Sequence, residues 1–69
     1  MKRFSEKEMV AAYRDRKAYQ VNPDDEEQGF EYKGTHFKQE FSAESYYDVV
    51  YWVDDSGEKY RVWEFYVGD

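Results

Sequence analysis

The chain has 69 residues, enough for one domain around one small core. It contains no cysteine, which excludes disulfides, thiolate catalysis and zinc–thiolate sites. The formal net charge of −6 is unevenly spread: residues 1–19 hold six basic and three acidic side chains, residues 20–69 four basic and thirteen acidic. Such an acidic body repels nucleic acid, whose binding rests on phosphate neutralisation, and attracts basic proteins.

The apolar residues are unusual in kind. Leu and Ile are absent, and seven valines and five phenylalanines make up only about 17% of the chain, under the rough 20% line for disorder. Eight tyrosines, five phenylalanines and two tryptophans offset this, because each ring buries a large area. The composition therefore predicts a single folded domain over residues 1–69 with a core of rings and valines. The polar Ser5-Glu6-Lys7-Glu8 stands where a signal peptide would need an apolar run, and no stretch reaches the length of a membrane span. The expected location is the cytoplasm, without membrane association.

Residues 5 to about 20 read as a helix. Ser5 and Glu8 have capping-box spacing, and Phe4 and Met9 have hydrophobic-staple spacing. Met9, Ala12, Tyr13 and Tyr19 fall near one face, while Arg3, Lys7, Arg14 and Lys17 form a basic stripe expected to be solvated. Asn22-Pro23 ends the helix, or caps one short turn, and the acidic run Asp24-Asp25-Glu26-Glu27 forms an exposed knob.

From Phe30 the apolar period becomes two. Phe30 and Tyr32, then Phe37, Gln39 and Phe41, read as half-buried strands separated by a turn at Lys33-Gly34-Thr35. Ser42–Ser45 reads as a connection, Tyr46–Val53 as a strand, and Lys59–Val67 as the last strand. Asp54-Asp55-Ser56-Gly57 between them reads as a type I turn with a G1 bulge. The fold class is α+β, one N-terminal helix packed on a three- to four-stranded antiparallel sheet in the order α-β-β-β-β. Because Tyr47, Val49, Tyr51 and Val53 point one way and Tyr46, Val50 and Trp52 the other, one helix leaves a face of the sheet bare. That face is a contact surface, or a homodimer or curled sheet buries it.

No constellation for catalysis stands out. His36 is the single histidine and lies in a predicted strand, and the serines sit where caps, turns and linkers place them. The carboxylate pairs are adjacent in loops rather than set across a cleft. The calcium-loop pattern and the glycine-rich phosphate motifs are absent. The chain is therefore expected to be no enzyme, and to hold no metal or cofactor.

The leading expectation is a small acidic protein-binding domain that docks on the basic surface of a nucleic-acid-handling protein, as an inhibitor or mimic of nucleic acid, without binding nucleic acid itself. The expected contact residues are Asp24, Asp25, Glu26, Glu27, Asp54 and Asp55 with Trp52 and Trp63. Acids on strands and turns would form an ordered negative row. In size and composition alone the chain resembles small phage-encoded inhibitors such as DNA-mimic anti-restriction and anti-CRISPR proteins. No residues are carried over from them. The alternative is a host adaptor or regulatory protein that binds or dimerises through an aromatic sheet face, with energy from ring anchors rather than charge.

Overall fold

The computed structural model describes residues 2–68. Helix α1 (Glu6–Arg14) is followed by strand β1 (Tyr19–Gln20), a 3-10 turn (Glu26–Gln28), β2 (Phe30–Tyr32), β3 (Thr35–Glu44), β4 (Tyr47–Asp54) and β5 (Lys59–Tyr66). The strands form one antiparallel meander in the order β1-β2-β3-β4-β5. The α+β class with one N-terminal helix on an antiparallel sheet is as the sequence predicts, with five strands rather than three or four.

The helix starts at its predicted cap. Ser5 Oγ accepts from the Glu8 amide at 3.0 Å. Glu8 does not close the reciprocal half of the box. Its carboxylate instead accepts from Tyr32 Oη at 2.9 Å and Lys33 Nζ at 2.8 Å, tying the first turn of the helix to the β2–β3 turn. These two donors, Lys33 first, hold Glu8 below the usual carboxylate range.

The helix ends at Arg14, about six residues before the predicted boundary. The Arg16 amide donates to Tyr13 O and the Lys17 amide to Ala12 O, the bonding pattern of a Schellman motif. Arg16 takes the left-handed conformation, φ 54°, at the position where glycine is usual. The chain then reverses, and Tyr19 and Gln20 pair with Glu31 and Phe30. Tyr19 thus lies on an edge strand, exposed, and not on the helix face.

The core forms between α1 and one face of the sheet. Met9 and Ala12 meet Tyr32, Phe37, Val50, Trp52, Tyr60 and Val62, with Phe4, Tyr13, Ala18, Phe30 and Trp63 packed around them. Rings dominate: Phe30 stacks on Trp52 at 4.8 Å, and Phe37 meets Tyr60 edge-on at 5.6 Å. The buried polar handles are answered. Trp52 Nε1 donates to Gln39 Oε1 at 2.9 Å, and Tyr60 Oη accepts from the Arg3 amide at 2.9 Å.

A β-bulge sets which residues of β5 join this core. Val50 pairs with Trp63 and Tyr51 with Arg61, so Val62 is the extra residue. Val62 and Trp63, adjacent in sequence, both pack on the helix side. Beyond the bulge, Phe65 shares that side and Tyr66 pairs with Tyr47 on the other.

The helix is too short to cover the sheet. Nine residues of helix span about 13.5 Å, and the ten residues of β3 about 33 Å. The far ends of β3, β4 and β5 therefore overhang. Of the region predicted as a connection, Ser42–Ser45, the first three residues belong to this overhang, because β3 runs straight on to a two-residue turn at Ser45-Tyr46. Tyr46 sits in that turn with φ 63° rather than in the strand.

Candidate interaction surfaces

Three surface features stand out, at different places on the sheet. The first is acidic. The Asp24–Glu27 knob is ordered by one of its carboxylates: Asp25 caps the 3-10 turn, accepting from the Glu27 amide at 3.1 Å and Gln28 Nε2 at 3.2 Å. In the β4–β5 turn, Asp54 Oδ1 accepts from Ser56 Oγ at 2.7 Å and from the Ser56 and Glu58 amides at 2.9 and 3.0 Å. The Ser56 hydroxyl, more than these amides, lowers the Asp54 pKa, and Gly57 closes the turn at φ 87°. His36 lies between the two loops: its Nε2 donates to Gln28 O at 2.6 Å, and its Nδ1 lies 3.7 Å from Asp55 Oδ1. The two acidic segments are distant in sequence, yet they flank this one imidazole.

Of the six acids predicted to meet a partner, Asp25 and Asp54 spend oxygens on the fold, whereas Asp24, Glu26, Glu27 and Asp55 are exposed. The strand acids do not extend them into a negative row. On the face away from the helix Lys59 pairs with Glu40 at 3.5 Å, and Arg61 with Glu44 at 3.7 Å and Glu64 at 2.6 Å. Tyr51 Oη donates to Glu44 at 2.6 Å. That face, expected as an exposed aromatic surface, is thus largely a network of ion pairs around a fully buried Val49.

The second feature is the overhang. Phe41 is 71% exposed and Tyr66 66%, and Tyr46, Tyr47, Phe65 and Val67 are also exposed. Phe41 and Phe65 lie on the helix side, beyond the reach of α1, and Tyr47 and Tyr66 on the opposite face. Tyr47 and Tyr66 meet edge-on at 5.4 Å, and the Val67 amide donates to Tyr46 O at 2.9 Å, which ties the chain end to the β3–β4 turn. Sequence reasoning points to the tryptophans as ring anchors rather than to this group. The density of Tyr and Phe near both ends of the last hairpin is its one local signal, and the length of the helix decides whether Phe41 and Phe65 stay bare.

The third feature is a cleft of about 570 Å³ between the C-terminal end of α1 and the sheet, lined in part by both tryptophans. Trp52 is 2% exposed and offers a partner almost no surface, because it sits under Tyr13, Phe30 and Phe37. Trp63 is half-buried and stacks on Tyr13 at 6.0 Å. The expectation of Trp52 as a protruding anchor is corrected by this packing.

Among the described residues no group of three or more His, Asp or Glu is placed to hold a metal ion, and no helix is long and apolar enough to cross a membrane. Comparison with family models, curated proteins and solved structures returned no match.

Proposed function

We propose that this chain is a non-catalytic, cytoplasmic protein-binding domain that docks its acidic end on the basic surface of a nucleic-acid-handling protein, as an inhibitor of the DNA-mimic type used in phage counter-defence. The observation that carries the reading is the place of His36 between Gln28, which follows the Asp24–Glu27 knob, and Asp55 of the β4–β5 turn. Exposed carboxylates gathered from two loops raise the local negative potential, steer a basic partner and stand where its phosphates would.

The test is retention of purified nucleic-acid-handling proteins on the immobilised chain, eluted by salt and by competing duplex DNA. The triple variant Asp24→Lys, Glu27→Lys and Asp55→Lys spares the two structural carboxylates, so it should keep the wild-type circular dichroism and lose retention. A folded triple variant that is retained as well as wild type refutes the reading.

The exposed overhang favours a second reading, a host adaptor that binds or dimerises through rings. Association by that route would survive high salt and fail in a Phe65→Ser, Tyr66→Ser variant.

A further inference from the structure

The cleft at the end of α1 has the makings of a small-molecule site. Its volume of about 570 Å³ falls in the range of ligand pockets. Tyr13, Phe30 and Trp63 give it half-buried ring surface over a floor of Trp52.

Its polar groups are mostly donors. Gln39 gives its Oε1 to Trp52 Nε1, which leaves its amide hydrogens for the cleft it lines. Arg14 is held by Asp15 at 2.9 Å, but the Arg16 guanidinium has no hydrogen-bond or ion-pair partner among the described residues. Glu26 supplies the one carboxylate of the lining, an acceptor suited to an exocyclic amine. Arg16 also occupies the left-handed position that glycine fills at lower cost. Arg16 is exposed at the cleft, and its unpaired guanidinium can meet an anion there.

We propose that this cleft binds a planar heteroaromatic ring carrying a phosphate, the chemistry of a mononucleotide. The ring lies against the aromatic wall, and the phosphate meets the planar fork of Arg16. A mononucleotide is small enough to reach Arg16 without spanning the acidic end, whereas a nucleic-acid strand would meet it. The site shares only Glu26 with the acidic end and does not depend on the docking function.

Both tryptophans line the cleft, so intrinsic fluorescence reads it directly. The full chain is titrated with AMP, adenosine and inorganic phosphate, and AMP alone should give a saturable change, with a dissociation constant of about 1 mM or tighter. Arg16→Gly should keep a thermal midpoint equal to or above that of wild type and bind AMP roughly tenfold or more weakly, the scale of one lost charge-assisted contact. No saturable change with AMP, equal binding of AMP and either adenosine or phosphate, or a folded Arg16→Gly variant that binds AMP like wild type overturns the proposal.

Discussion

Gly29 is the pivot between the acidic knob and β2, and replacing it with alanine should remove a large share of the protein's stability. Its backbone stands at φ 78°, ψ −153°, a region that is essentially glycine-only. An added Cβ would also be driven into the Phe37 carbonyl oxygen, well inside van der Waals contact, with His36 Nε2 only 3.2 Å away. The conformational part costs about 1–3 kcal/mol. Relieving the overlap means moving β3 backbone, which adds about 1–3 kcal/mol. The sum, roughly 2–6 kcal/mol, compares with a total stability of about 3–10 kcal/mol for a domain of this length. Gly57→Ala is the control, because its φ of 87° is similarly unfavourable but its Cβ would meet open space. Urea denaturation followed by tryptophan fluorescence should show Gly29→Ala losing at least twice the free energy that Gly57→Ala loses. Equal losses would mean that the contact with Phe37 relaxes freely and adds nothing to the cost of the substitution.

Acid should weaken the fold through Asp54 and Glu8, whose pKa values are lowered by the Ser56 hydroxyl and by Lys33 respectively. A depressed folded pKa contributes stability that is present above the unfolded value and is lost as pH falls through the folded one. Asp54→Asn should therefore flatten the stability–pH curve below the ordinary aspartate value of 3.8, and an unchanged acid limb would contradict this. Trp52→Ala should cost about 3–5 kcal/mol, as for other fully buried large rings, and half-buried Trp63→Ala distinctly less, both measured by urea denaturation. Similar losses would show that the rim of the cleft matters to the core as much as its floor.

Local signals carry much of the fold. Ser5 and Glu8 mark the helix start, and Asp54 to Gly57 mark the turn, because each motif closes within a few residues. What stays hidden depends on partners distant in sequence. The helix end at Arg14 carries no glycine, so nothing local announces the reversal that makes β1. The bulge at Val62 breaks the alternation of β5 and brings Trp63 to the helix side, which a strict period of two cannot foresee. The acidic knob is legible as charge, but the β4–β5 turn is brought near it by sheet register, with His36 between the two.

The overhang and the acidic end differ in what their exposure means. A helix of about 13.5 Å can bury only part of a sheet built on strands of up to about 33 Å, so Phe41 and Phe65 are left bare on its side whatever their role. Tyr47 and Tyr66, on the other face, have no second layer to cover them. Geometry alone accounts for these rings, and their exposure by itself argues little for a partner. No such constraint acts on the acidic end. On the strands Glu40, Glu44 and Glu64 face a lysine or arginine, whereas Asp24, Glu26 and Glu27 have no ion-pair partner among the described residues and Asp55 faces only His36. Like charges held together oppose folding, keep the chain dispersed and would attract a basic partner, which is why the acidic end supports the proposed function and the overhang the second reading.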